Sequence, residues 1–314
     1  MFSPWRALKQ AGVIGLNARN GRYILEYNDR RRYPLVDDKI RTKGLLSERG
    51  IAVPELLDVI RTQYEAGHLH SRLARWEQFV IKPASGSGGD GIVVIAGQRR
   101  DYWITASGRL LTLEDLQFHV SGILNGLYSL AGQPDAALIE ALVHTDPILR
   151  TLAPEGVPDI RVVVFRGVPV MAMIRLPTRR SGGRANLHQG AIGAGIHLAT
   201  GETLQAVMDQ RVIDHHPDSD ALISGFRIPD WDQLLELSAQ CQEAVGLGYL
   251  GVDIVLDVRR GPLVLELNAR PGLAIQIANR AGLGRRLEAV ERQPDLESAD
   301  LATRLAWSRE LADL

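Results

Sequence analysis

Apolar residues alternate with period two in several stretches of the chain and recur at helical spacing in others, which predicts an α+β protein. In Gly251 to Gly272, GVDIVLDVRRGPLVLELNARPG, two runs rich in Val, Ile and Leu flank a turn at Arg260-Gly261, the pattern of a β-hairpin. A two-residue turn sets Asp253 against Asn268 and Val255 against Glu266. Val252, Ile254, Leu256 and Val258 then share one face with Leu263, Leu265 and Leu267, and the other face carries Asp253, Glu266 and Asn268. A second hairpin is expected over Asp159 to Arg175, DIRVVVFRGVPVMAMIR, turning at Arg166-Gly167. With 165 opposite 168, Arg161 and Arg175 fall on opposite faces, so only Arg175 is assigned to the polar side.

Residues 78–95, QFVIKPASGSGGDGIVVI, predict a strand ending at Lys82-Pro83, a glycine loop, and a returning strand from Ile92 to Ile95. Gly86, Gly88 and Gly91 satisfy G-x-G-x-x-G, yet a β-branched run follows where a dinucleotide-binding fold requires a helix. Such a loop can lay backbone N–H groups over phosphates, with Lys82 beside it as a point charge; a ligand-free hairpin tip is the alternative. AALIEALV, 136–143, reads as a short buried strand carrying Glu140. Helices are expected from Asp37 or Asp38 to about Arg49, with Gly50 as the stop, from about Leu113 to Leu130, and over Trp231 to Val245. In the first of these, Lys39 and Lys43 sit four apart on one face. Residues 144–158 read as a loop, and SGGRANLHQGAIGAG, 181–195, as a polar loop containing Arg184, Asn186 and His188. His215 and His216 fall in an expected surface loop, and the chain after Leu283 reads as exposed charged helix, a candidate partner-binding arm.

Composition narrows the function. Thirty-six basic residues against 37 acidic ones give a net charge of -1, which argues against a nucleic-acid partner. Residues 1–37 do interleave Arg19, Arg22 and Arg30 to Arg32 with Tyr23, Tyr27 and Tyr33; a docking segment or a wall of the substrate site is the expected use. No run of eighteen apolar residues and no signal peptide are present, so a cytoplasmic chain without a membrane span is expected. Cys241 is the lone cysteine, which excludes an intramolecular disulfide and a cysteine-based metal cluster. H-R-D and D-F-G are absent, excluding a protein kinase, and so is G-x-x-x-x-G-K-[ST]. Two carboxylates and an amide oxygen on one sheet face suit a hard cation such as Mg²⁺; an ordinary solvated polar face is the alternative.

Four blocks stand in one order: a D-K helix, V-I-K-P with a glycine loop, D-I-R followed by R and N-L-H-x-G, and V-D with L-E-L-N-x-x-P-G. That order resembles the ATP-grasp superfamily, and the N-L-H-x-G and E-x-N blocks are most similar to its RimK-type branch, the alpha-L-glutamate ligase-like proteins. The resemblance covers about 37–282. It implies an ATP-grasp fold, two α+β lobes whose antiparallel sheets clasp ATP. Residues 1–37 then form a short lead-in where relatives have a fuller domain, 38–282 the ATP-grasp domain, and 283–314 a helical extension. The ATP-covering lobe is placed at about 78–138 and the C-terminal lobe at about 139–282.

The resemblance makes Lys39 and Lys82 ATP-contacting lysines, and Ser85, Gly86, Ser87, Gly88, Gly89 and Gly91 the loop closing over the phosphates. It puts Glu140 near the adenine and ribose hinge, although relatives have a Gln-Glu pair where this chain has Glu140-Ala141. Asp253, Glu266 and Asn268 become ligands of Mg²⁺, with Mn²⁺ as a substitute, and Arg175, Arg184 and Asn186 face the γ-phosphate or an acyl phosphate. The implied reaction is ATP-dependent carboxylate–amine ligation, with glutamate a candidate substrate and a small molecule, peptide or protein the acceptor. No nucleophilic side chain is needed, and a homo-oligomer is compatible with the resemblance. A kinase on the same fold and a non-catalytic ATP-binding partner subunit are the competing readings.

Overall fold

The computed structural model describes residues 4–86, 88–129, 132–209 and 211–314. They divide into a smaller unit, Asp38–Gly44 with Val53–Val143, and a larger one, Met1–Asp37 with Leu45–Ala52 and His144–Leu314.

In the smaller unit the alternating runs pair into a six-stranded antiparallel sheet. Its strands are β1 (Leu56–Ile60), β2 (Phe79–Pro83), β3 (Val93–Arg99), β4 (Tyr102–Thr105), β5 (Leu110–Leu111) and β6 (Ala137–Glu140). They lie in the order β1-β6-β2-β3-β4-β5. Phe79, Ile81, Ile95, Trp103 and Ile139 from the sheet bury themselves with Leu116, Val120 and Ile123 of helix Leu113–Leu124. That helix starts at a capping box, in which Thr112 and Asp115 each satisfy the other's backbone N–H. It ends at Leu124, six residues short of the expected stop, because Gly126 turns the chain with φ +81°. Asp38 caps the helix Lys39–Glu48 by accepting from the N–H of Ile40 at 2.8 Å.

The larger unit is built on β7 (Asp159–Phe165), β8 (Val168–Leu176), β9 (Ile192–Ile196), β10 (Thr203–Met208), β11 (Arg211–Ile213), β12 (Tyr249–Asp257) and β13 (Gly261–Asn268). Both expected hairpins are present in its seven-stranded antiparallel sheet, order β11-β10-β9-β8-β7-β12-β13. Helix Trp231–Val245 forms as expected and packs on β7, β8 and β12. Every residue of β12 is buried, so this strand has no solvated face.

Both hairpin registers differ from expectation, the first through its turn and a bulge together and the second through a bulge alone. β12 and β13 are joined by a three-residue turn, 258–260, rather than the two-residue turn at Arg260-Gly261. Leu265 is the extra residue between the pairs Asp253–Glu266 and Ile254–Val264. Asp253 therefore opposes Glu266, and Asn268 opposes Gly251. The three polar side chains still share a face, since the slip is by two residues. In β7–β8 the turn pairs Phe165 with Val168 as expected, and then Val170 bulges, so that Asp159 meets Arg175 and Arg161 meets Met173. The bulge moves Arg161 onto the face of Arg175.

The lead-in packs against the larger sheet, and two further expectations fail on burial. In the basic-aromatic lead-in, Tyr23 is fully buried edge-on to Phe165, and Asn28 exchanges hydrogen bonds with the backbone of Tyr249. The chain after Leu283 is not an exposed arm, because Leu287, Val290, Leu305 and Leu311 are buried and Arg286 donates to the carbonyls of Val170 and Ala312. His216 is fully buried, its Nε2 against the Pro177 carbonyl at 2.9 Å, and Pro147–Leu152 is helical where a loop was expected.

Candidate active site

Among the described residues, each unit carries a cluster of buried charge at its sheet. In the smaller unit, Lys82 at the end of β2 and Glu140 at the end of β6 lie diagonally across neighbouring strands, with Nζ 2.8 Å from Oε2. Lys43 of the helix reaches the other oxygen, Oε1, at 3.0 Å, close enough for an ion pair but off-angle for a hydrogen bond, and donates to the Pro54 carbonyl at 2.9 Å. All three side chains are at most 5% exposed. The Glu140 carboxylate, expected at a nucleotide hinge, thus sits between two ammonium groups and fixes their positions.

Lys39, one turn before Lys43, points its Nζ at the Gly86 carbonyl, 2.5 Å away, at the neck of the glycine loop. The Ser85 N–H donates to Asp135 at 2.9 Å. Gly88, Gly89 and Gly91 all have φ between +70° and +83°, a region glycine enters without a Cβ penalty, so the loop's path requires these residues. Ser87 lies outside the described residues.

In the larger unit, β7, β8 and β12 bring four charged side chains together. Arg161 grips Asp253 with two parallel bonds, Nε to Oδ1 at 2.7 Å and Nη2 to Oδ2 at 2.6 Å. Arg175 grips Asp159 in the same way and also donates to Asp253 Oδ2 at 2.8 Å. Asn268 Nδ2 adds a weaker contact to that oxygen at 3.3 Å. Burial works against the charge of Asp253, but Arg161 and Arg175 outweigh it and hold the carboxyl at about 2. For Asp159 burial dominates; Arg175 offsets part of it and the Asp253 charge adds to it, leaving the group raised to about 6.

The expected metal ligands divide accordingly. Asp253 gives its oxygens to arginines, whereas Glu266, directly opposite it, and Asn268, two residues on, carry oxygens on the same face of an edge strand. Among the described residues no trio of His, Cys, Asp or Glu is arranged for a metal ion. One carboxylate and one amide oxygen nonetheless fit Mg²⁺, which typically takes few protein ligands and completes its shell with phosphate oxygens and water. Arg184 and Asn186 lie between β8 and β9: Arg184 is exposed, and Asn186 caps the turn Leu187–Gln189 by accepting from the His188 N–H at 3.0 Å.

Periodicity missed Asp159, Arg161 and Lys43. The signal for Lys43 was its spacing from Lys39, and for Arg161 its place two residues after Asp159. Cys241 is buried, which pushes its thiol up and leaves it no reactive thiolate.

No curated protein matches the chain. Among solved structures it is similar to the ATP-grasp ligase PsnB with its minimal precursor (18% identity, 85% of this chain and 64% of that one, TM-score 0.45). It is also similar to D-alanine--D-alanine ligase from Bacillus anthracis (14%, 91% and 70%, 0.47) and to the D-cycloserine synthetase DcsG (15%, 83% and 71%, 0.47). The chain spans less than two thirds of the length of the PsnB chains it matches. Residues 18–292 match the family model described as sugar-transfer associated ATP-grasp, and with its two antiparallel sheets the chain belongs to that ATP-grasp family.

Proposed function

We propose that this protein is an ATP-dependent carboxylate–amine ligase. The observation that supports it best is the Arg161–Arg175 pair held on one sheet face beside Glu266 and Asn268: two guanidiniums and two hard oxygen donors, with no nucleophile among them. Such a set suits charge stabilisation in phosphoryl and acyl transfer. A substrate carboxylate oxygen attacks the γ-phosphorus, the bond to the β-phosphate bridging oxygen breaks, and ADP leaves. An amine then attacks the acyl carbon, expels phosphate and loses a proton, forming the amide.

In this reading Lys39, Lys43 and Lys82 supply positive charge for the nucleotide phosphates, with Glu140 keeping Lys43 and Lys82 in place. The loop from Ser85 through Gly91 covers those phosphates with backbone N–H groups. Arg161 and Arg175 neutralise charge on the transferring phosphoryl and the acyl phosphate; Asp159 and Asp253 set the angle at which they do so. Arg184 and Asn186 serve the acceptor side. Glu266 and Asn268 hold Mg²⁺, or Mn²⁺ in its place, which when bound offsets phosphate charge. The RimK-type blocks favour an amino acid, glutamate first, as one substrate and a peptide, protein or small amine-bearing molecule as the other. The chain acts in the cytoplasm, where ATP is abundant.

The test is ADP and phosphate release measured across a panel of carboxylates and amines. Phosphate release that requires both partners supports ligation. A stable phosphorylated product identifies a kinase instead, and ATP binding without turnover identifies a non-catalytic subunit.

A further inference from the structure

The glycine loop is held at both ends by one short segment. At its start, Gly86 pairs with Ser129 in an isolated antiparallel bridge. At its end, Gly91 lies under the ring of Tyr128, where a Cβ on residue 91 would meet Cγ of that ring at 2.6 Å. Gly91 is also gripped from outside, since its carbonyl lies 3.0 Å from His119 Nε2. A carbonyl only accepts, so Nε2 carries the proton and the neutral ring turns Nδ1 toward the Tyr128 hydroxyl, 3.4 Å away. Burial lowers the His119 pKa, partly offset by the Gly91 bond and reinforced by Arg109, in keeping with a neutral ring.

The clamp is rigid. His119 projects from the capped helix Leu113–Leu124, whose Leu116, Val120 and Ile123 are fully buried, and Tyr128 packs against the same core. Ser129 is tied in turn by its hydroxyl, which faces the carbonyls of Gln133 and Gly126. Gly88 and Gly89, with their positive φ angles, lie between these fixed ends.

We infer that His119, Tyr128 and Ser129 clamp the neck of the glycine loop, and that His119 and Tyr128 are positioning residues for nucleotide binding: neither touches phosphate, and both set where the loop's N–H groups lie. This rests on the loop's covering phosphates, as proposed above. Fixing the two ends in advance lowers the ordering cost that the loop meets when a nucleotide arrives.

The experiment titrates ATP with Mg²⁺ into the full chain by calorimetry and follows hydrogen exchange of the loop amides. His119→Asn, too short to reach Gly91, and Tyr128→Ala should each weaken ATP binding by roughly three- to tenfold, the range expected for one lost hydrogen bond or ring contact. They should also speed exchange at Gly88 to Ile92; His119→Asn should leave the melting temperature nearly unchanged, whereas Tyr128→Ala, which also gives up its packing on the core, should lower it by a few degrees. His119→Gln, whose amide can replace Nε2–H, and Tyr128→Phe, which keeps the ring over Gly91, should restore both readouts. The inference is overturned if the chain binds ATP and neither His119→Asn nor Tyr128→Ala changes affinity or loop exchange. It is equally overturned if His119→Gln is as impaired as His119→Asn. A wild-type chain that binds no ATP refutes the nucleotide reading itself and takes the positioning role with it.

Discussion

The two buried charge clusters differ in how they are balanced. Lys43 and Lys82 share one carboxylate, Glu140, whereas Arg161 and Arg175 share two, Asp159 and Asp253. The lysine cluster holds two ammonium groups on one carboxylate at buried positions, where a charge interaction is screened less than in bulk solvent. The arginine cluster is neutralised internally by paired bonds that fix each guanidinium plane. Lysine suits the first as a point charge and arginine the second as a planar fork. One cluster is built to attract and the other to aim.

The sharpest way to break this contrast is through the metal. If Asp253 aims arginines, the metal requirement falls on Glu266 and Asn268. Glu266→Ala should then abolish turnover, a loss of about a thousandfold or more, with the fold intact by circular dichroism. Glu266→Gln should raise the Mg²⁺ concentration needed for half-maximal ATP binding. Asp253→Asn should lower the rate with little change in that concentration. A larger Mg²⁺ shift for Asp253→Asn than for Glu266→Gln would make Asp253 a ligand and dissolve the distinction.

Stability offers the next comparison. Glu140→Gln removes the carboxylate that two buried ammoniums share and should cost about 3 kcal/mol, at the low end for breaking a buried pair. Asp253→Asn leaves Arg175 its bonds to Asp159, so its cost should be smaller, about 2 kcal/mol. Urea unfolding of both variants checks the order, and the reverse order would mean that the arginine cluster is the less balanced of the two.

Element types were legible along the chain, and registers were not. The alternation of β7, β8, β12 and β13 announces two hairpins, and the polar trio of the second survives because a slip of two residues preserves faces. Arg161 did not survive, because one extra residue, Val170, reverses a face and leaves no mark in composition. The Lys43–Glu140 contact joins residues far apart in sequence, and the four-residue spacing from Lys39 marks a shared helix face without naming the partner of Lys43. The C-terminal segment misled for the opposite reason: its many charges suggest solvent, yet Arg286 and Arg304 are buried, Arg286 on backbone carbonyls and Arg304 against Glu243.

The smallest expected effect comes from the pH response that the arginine cluster alone should show. Asp159 is raised to about 6, so the folded chain keeps a proton that the unfolded chain releases near 3.8, and this group adds stability as the pH falls through that window. Asp253 is held at about 2, so its contribution is complete above 3.8 and is lost as the pH falls from there toward 2. The two carboxyls face the same arginines and titrate together, which leaves a gain on mild acidification and a loss on strong acidification. One proton changes stability by at most about 1.4 kcal/mol per pH unit, and the two carboxyls share the titration, so the response is read as a slope with pH. Asp159→Asn removes the upper limb and keeps the lower one. Subtracting its urea midpoints from those of the wild type cancels the other titrating groups, so the difference should grow as the pH falls from about 6 to about 4. A flat difference over that range would show that Asp159 stays ionised against Arg175, and the arginine cluster would then be balanced at two charges against two down to about pH 4.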